Sequence, residues 1–149
     1  VELDPRLPKT VMTDPVRLRQ CLINLIGNAA KFTTAGSVVL RIGPADEAAG
    51  GWIRFDVEDT GIGISKEGLR RLFKSYSQAE DTIDRTYGGT GLGLAITRKL
   101  TDLLGGRIAV SSEPGRGSVF SIVLPLAGPQ TPRRNSERRR QHAELPVSE

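Results

Sequence analysis

The chain of 149 residues carries 21 Lys and Arg against 17 Asp and Glu, a net charge of +4, with one cysteine and one histidine. That length suits one domain with a proper core and a short tail; apolar runs of only a few residues exclude a membrane-spanning helix, and the opening Val1-Glu2-Leu3-Asp4 lacks a signal pattern, so a soluble chain is expected. The lone Cys21 cannot form an internal disulfide and points to core packing in the reducing cytoplasm, while five arginines between Arg133 and Arg140 concentrate the excess charge away from any aromatic-interleaved face that would bind nucleic acid.

Residues 1–14 read as short extended pieces around two prolines. Asp14-Pro15 marks a helix start, with Asp14 as N-cap and Pro15 in the first helical position, and the helix runs to about Phe32. Its predicted buried stripe is Leu18, Leu22, Leu25, Ile26 and Ala29. A second stripe carries Arg17, Gln20, Asn24, Asn28 and Lys31, and at about 100° per residue Asn24, Asn28 and Lys31 fall within about 60° of one another. Such a face is either a solvated surface or a site. Asparagine is a poor helix former, and two of them one turn apart suit a hard cation with a phosphate: an amide oxygen can ligate magnesium while the lysine meets phosphate oxygens.

Alternation of Val38, Leu40 and Ile42 predicts a strand over 37–42, followed by a small, polar loop to Gly51. Trp52 to Asp59 predicts a second strand with Ile53, Phe55 and Val57 on one face and Arg54, Asp56 and Glu58 on the other, so parity puts Asp59 on the apolar face. A carboxylate there is costly unless a donor reaches it, and the exocyclic amino group of a base would serve; otherwise Asp59 is a loop or N-cap aspartate. Beside it, Thr60-Gly61-Ile62-Gly63-Ile64 is a tight backbone whose missing side chains would let a flat ring approach.

Ser65 to Leu72 reads as a short capped helix. The polar stretch from Lys74 to Tyr87 is long for a connection in a compact domain and is either disordered or a lid; Phe73 and Tyr76 could pin it to the body, and Arg85 could swing to a terminal phosphate. Next, Gly88 to Gly93 holds four glycines in six residues, which let several N–H groups turn toward one anion. Leu92, Ile96, Leu100 and Leu103 recur at helical spacing, so this string runs into a helix N-terminus, itself attractive to phosphate. It is either a phosphate cradle or a flexible loop before an ordinary amphipathic helix. Leu94 and Ala95 follow Gly93 where a P-loop needs Lys-Ser or Lys-Thr, and the glycine spacing does not fit a dinucleotide fingerprint.

Gly105-Gly106 stops that helix, and 107–112 and 117–124 read as strands joined by the turn Glu113-Pro114-Gly115-Arg116. Ser118 shares parity with Phe120, Ile122 and Leu124, so its hydroxyl faces the layer of Asp59. Residues 128–149, rich in Gly, Pro, Gln, Ser and Arg and without periodicity, read as a disordered basic tail or interdomain linker that contains His142.

Assembled, these residues resemble the catalytic and ATP-binding domain of bacterial sensor histidine kinases, of the GHKL superfamily, over residues 1–127. Asn24 to Thr33 resembles the N box, Asp59 to Gly63 the G1 box, Leu72-Phe73 with Tyr76 the F box, Gly89 to Gly93 the G2 box, and Gly115 to Ser118 the last glycine box. The resemblance implies an α/β two-layer sandwich, a mixed, mostly antiparallel sheet with helices on one face, in the Bergerat-type ATP-binding fold. It also implies ATP and Mg²⁺ as cofactors. Asp59 would accept from the adenine amino group, with Ser118 assisting through water; Gly61, Gly63, Tyr76, Gly89, Thr90, Gly91, Leu92 and Gly93 would surround the nucleotide. Asn28 would ligate Mg²⁺ with Asn24 near it, and Lys31 and Arg85 would neutralise phosphate charge, making Asn24, Lys31 and Arg85 the implied catalytic residues.

The implied reaction passes the γ-phosphoryl group to a histidine on a separate helical dimerisation domain, from which a response regulator or receiver aspartate takes it. No helical hairpin of that kind is present in this sequence, and His142 in a basic tail is a poor acceptor. Asn24 stands where related ATPases such as gyrase and MutL place a water-activating glutamate, which implies little ATP hydrolysis. Tyr76 stands where phenylalanine is frequent and adds a hydroxyl that needs a partner. The tail resembles a linker toward a receiver domain, as in hybrid kinases, and the whole reading expects a cytoplasmic domain without membrane or nucleic-acid contact. The competing function is a nucleotide-responsive interaction module that binds ATP without completing transfer.

Overall fold

The computed structural model describes residues 1–45, 51–77 and 92–128, with the backbone alone for 73–77 and 92. In chain order these form β1 (Glu2–Leu3), α1 (Pro15–Phe32), β2 (Val38–Pro44), β3 (Trp52–Asp59), α2 (Lys66–Ser77), α3 (Leu92–Leu103), β4 (Arg107–Glu113) and β5 (Gly117–Pro125). The sheet order is β1-β2-β3-β5-β4; β1 runs parallel to β2 and every other pair is antiparallel. Among the described residues no helix is long and apolar enough to cross a membrane.

Local chemistry places the elements. Asp14 is extended (φ −82°, ψ 108°), and its carboxylate accepts from the Val16 and Arg17 N–H groups at 3.0 and 3.1 Å, so two otherwise unpaired donors of the first turn of α1 are capped. Pro15 needs no partner there because it has no N–H. Between β4 and β5, the Arg116 N–H donates to the Glu113 carbonyl at 3.0 Å, with Pro114 in the second turn position and Gly115 at φ 78° in the third, the residue preferences of a type II turn.

Alternation then sorts the sheet into two faces. Ile53, Phe55 and Val57 of β3 and Phe120, Ile122 and Leu124 of β5 bury against Cys21, Leu25 and Ala29 of α1 and Leu104 after α3. The opposite face stays polar: Arg41 bridges Glu2 and Glu58, Arg54 pairs with Asp56 at 2.6 Å, and the Arg107 guanidinium lies 5.5 Å from the centroid of the Trp52 ring. The result is the predicted two-layer sandwich with a mixed, mostly antiparallel sheet.

Several local expectations need correction. Ile26, expected in the buried stripe, is 37% exposed, while Cys21 is fully buried, as its reading as a core residue anticipated. At about 100° per residue Ile26 lies about 100° from Leu25, on the side away from α3, whereas Cys21 lies between the sheet and α3. On α3 itself Ile96 and Leu103 are 44% and 50% exposed, and the buried line is Thr97, Thr101 and Leu104. The threonines tolerate burial because each hydroxyl donates, at 2.7 Å, to the carbonyl four residues back, on Gly93 and Thr97. Residues 10–13 form no strand, although the Met12 N–H donates to the Leu126 carbonyl at 3.0 Å. β2 continues to Pro44, and α2 extends to Ser77, into the stretch expected to be a loop.

Candidate functional site

The site gathers where β3 ends and β5 begins. Asp59 and Ser118 are register partners on the inner face, 5% and 6% exposed respectively, as strand parity predicted. Asp59 Oδ1 accepts from the Gly61 N–H at 2.8 Å and the Thr33 hydroxyl at 3.4 Å, while no described donor reaches Oδ2. Oδ2 is thus left to a donor that enters from the cleft, water or a ligand.

Gly61, Gly63 and Gly117 build the wall around Asp59 by close backbone approach. A Cβ would collide with the Phe32 carbonyl oxygen at Gly61, with the Glu113 carbonyl oxygen at Gly63, and with the Asp59 carbonyl oxygen at Gly117. Gly63 and Gly117 also hold φ at 69° and 99°, which L side chains rarely adopt. Their missing side chains therefore make room for protein backbone, where the sequence suggested room for a flat ring.

Behind Ser118 stands Ser112, which the sequence reading passed over. Its Oγ accepts from the Ile64 N–H at 2.7 Å and lies 2.9 Å from the Gly117 carbonyl oxygen and 2.8 Å from Ser118 Oγ. The signal was available: Ser112 shares parity with Ile108 and Val110, the same argument that placed Ser118. A cleft of about 360 Å³ opens at this end of the sheet, lined by Asp59, Ser112 and Ser118, by Glu58, Ser111 and Val119 of the opposite parity, and by the turn from Glu113 to Gly117.

The end of α1 reaches the same region, since Thr33 touches Asp59 and the Phe32 carbonyl accepts from the Ile62 N–H at 3.2 Å. Asn28, in the last turns of α1, is half-buried, and its amide has no hydrogen-bond partner among the described residues. Lys31, three residues on, is exposed, with its ammonium 5.6 Å from the centroid of the Phe32 ring. Asn24 is committed elsewhere. Its Oδ1 accepts from the Gln20 amide at 3.2 Å, and its Nδ2 reaches the Gly93 carbonyl and the Thr97 hydroxyl of α3, both at 3.4 Å. It thus ties α1 to the first turn of α3, where Gly93 is half-buried with open space around its α-carbon. Arg85, Gly89, Thr90 and Gly91 lie outside the described residues, as do the side chains of Tyr76 and Leu92.

Chemically, the two strand-end residues present acceptors, suited to a donor such as an amino group on a flat ring. The helix end presents an unpartnered amide and an ammonium, suited to oxyanions and a hard cation.

Known proteins share this arrangement. The family model for histidine kinase-, DNA gyrase B- and HSP90-like ATPases matches residues 13–128. The chain is 48% identical over 120 residues to the sensor protein GacS of Pseudomonas syringae pv. syringae, covering 80% of this chain and 13% of that protein. To the hybrid signal transduction histidine kinase B of Dictyostelium discoideum it is 43% identical over 135 residues, 90% of this chain and 7% of that protein. It therefore spans only 7% to 13% of the length of these relatives. Among solved structures, full-length ShkA in complex with AMPPNP aligns with a TM-score of 0.69 at 38% identity, over 88% of this chain and 26% of that one. The catalytic domain of the histidine kinase ThkA aligns with a TM-score of 0.61 at 31% identity, over 78% of this chain and 72% of that one. A match that takes in both strand-end acceptors and the amide face of α1 carries the conclusion: the chain belongs to the histidine kinase-, DNA gyrase B- and HSP90-like ATPase family, among the catalytic domains of histidine kinases.

Proposed function

We propose that this chain is the ATP-binding catalytic domain of a two-component sensor kinase, working in the cytoplasm as one part of a longer protein. The observation that carries the reading is the buried Asp59, whose Oδ2 has no described donor and whose register partner is Ser118. The amino group of adenine supplies the donor that this carboxylate lacks. From there the triphosphate extends toward Asn28 and Lys31. Asn28 fits a Mg²⁺ ligand because its half-buried amide has no described partner, and the metal would neutralise phosphate charge there. Lys31 balances the remaining negative charge, and the resemblance assigns the same task to Arg85 and contact with the nucleotide to Tyr76, Gly89, Thr90, Gly91, Leu92 and Gly93.

Phosphoryl transfer of this kind depends on positioning and charge stabilisation more than on covalent chemistry from the protein. An imidazole nitrogen of a histidine on a separate helical dimerisation domain attacks the γ-phosphorus, the bond to the bridging oxygen breaks, and ADP leaves. A receiver aspartate, on a response regulator or on the same protein, takes the group next. The family domain occupies 1–127 of this chain, and 128–149 link it onward.

Calorimetric titration with a non-hydrolysable ATP analogue, with and without Mg²⁺, tests the site. Wild type should bind saturably and more tightly with the metal. Asp59→Asn, which puts an amide donor against the adenine donor, should lose about 100-fold in affinity, as expected for a lost charge-assisted hydrogen bond. Asn28→Ala should lose mainly the gain from Mg²⁺. Equal binding by wild type and Asp59→Asn would sink the reading.

A further inference from the structure

We propose that Ser112 is a positioning residue that sets base selectivity: it takes the proton of the Ser118 hydroxyl, so that the site accepts a purine with a 6-amino group and refuses its 6-oxo counterpart. The inference rests on the adenine reading above and follows from counting hydrogens. Ser112 Oγ has one proton and two lone pairs. The Ile64 N–H, at 2.7 Å, can only donate and fills one lone pair. The Gly117 carbonyl, at 2.9 Å, can only accept and claims the proton. That leaves one lone pair facing Ser118 Oγ at 2.8 Å, so Ser118 must donate. The reverse assignment would abandon the Gly117 contact and leave the Ser118 proton with no described acceptor.

With its proton directed at Ser112, Ser118 offers only lone pairs to the cleft. Its register partner Asp59 offers only a carboxylate oxygen. Two acceptors side by side, in direct contact with the base edge, favour an amino group and oppose a carbonyl oxygen, because a site built to bond a donor leaves its polar groups unpaired against an analogue that lacks one.

The test compares Ser112→Thr with Ser112→Val on the full 149-residue chain; the two side chains have nearly the same shape and differ by a hydroxyl. Each is titrated with ATP and with inosine triphosphate, which differ at the 6-position, and checked by thermal unfolding. The threonine variant should keep the wild-type ratio of affinities. The valine variant should lower it by about tenfold, the worth of one hydrogen bond between neutral partners. In a Ser118→Ala background the valine change should have no effect on the ratio. If the valine variant does not fold, Ser112→Cys, a weaker partner of similar volume, takes its place with the same expectation. A valine or cysteine variant that weakens both nucleotides by one factor overturns the proposal, as does an effect that persists without the Ser118 hydroxyl. Failure of the wild-type chain to bind ATP at all would overturn the nucleotide reading beneath it, a result that does not involve Ser112.

Discussion

Gly117 and Gly115 sit two residues apart in one turn and do different work. Both hold positive φ, 99° and 78°, but a Cβ on Gly117 would run into the Asp59 carbonyl oxygen while a Cβ on Gly115 would meet open space. Gly115→Ala therefore costs only backbone strain, about 1 kcal/mol, and should leave nucleotide binding unchanged. Gly117→Ala adds a clash with backbone that no rotamer can relieve, and should cost about 3 kcal/mol or more while displacing Asp59. Urea unfolding of the two variants, with ATP titration, checks the contrast; equal losses would mean that the close approach is not what Gly117 provides. Asp59 shows the same economy of means. Its Oδ1 is fixed by the Gly61 N–H and the Thr33 hydroxyl, so the remaining oxygen is aimed at the cleft.

Between elements, the seam of α1 and α3 fixes the first turn of α3. The seam is polar yet dry: Cys21, Thr97 and Thr101 are all fully buried, and the Cys21 thiol lies 3.7 Å from the Thr97 carbonyl and 4.0 Å from the Thr101 hydroxyl. Burial pushes the thiol above its ordinary value of 9.0, with the Thr101 contact and the backbone of Cys21 itself pulling more weakly the other way. A group whose folded-state pKa is raised contributes stability that is intact below the unfolded pKa and is lost as pH climbs through the folded value. The chain should therefore lose stability above about pH 9, by at most about 1.4 kcal/mol per pH unit from this group. The difference in urea midpoint between wild type and Cys21→Ala should shrink over that range and stay constant from pH 6 to 8; a difference that grows with pH would reverse the assignment. Asn24 belongs to the same seam. Its amide spans from Gln20 to Gly93 and Thr97, so it holds the first turn of α3 against α1.

For the molecule as a whole, the last strand connects the sheet to both chain directions. Leu126 donates its N–H to the Gly51 carbonyl at 2.8 Å, accepts from Met12 at 3.0 Å, and packs its side chain against the core. A chain ending at Gly128 should match the full chain in urea midpoint and ATP affinity, because the family match also stops there. A chain ending at Leu124 should lose about 2 kcal/mol or more, from one half-buried leucine, the end of β5 and two backbone hydrogen bonds. Equal stability of all three would show that the Met12–Leu126 closure carries no weight. Much of this architecture is written locally. Asp14 and Pro15 start α1, the period of two puts Asp59 and Ser118 on the inner face, and Pro114-Gly115 turns β4 into β5, since capping, pleat and turn geometry depend on neighbours in the chain. What the tertiary structure alone decided lies between elements. A helix wheel cannot say which flank meets a second helix, so Ile26 and Ile96 turned outward while Thr97 turned in. Nor can sequence spacing show that Asn24 reaches across to Gly93, or that the Cys21 thiol meets the Thr97 carbonyl. Those pairings join residues far apart in the chain, and they exist only because α1, α3 and three strands converge on one end of the sheet.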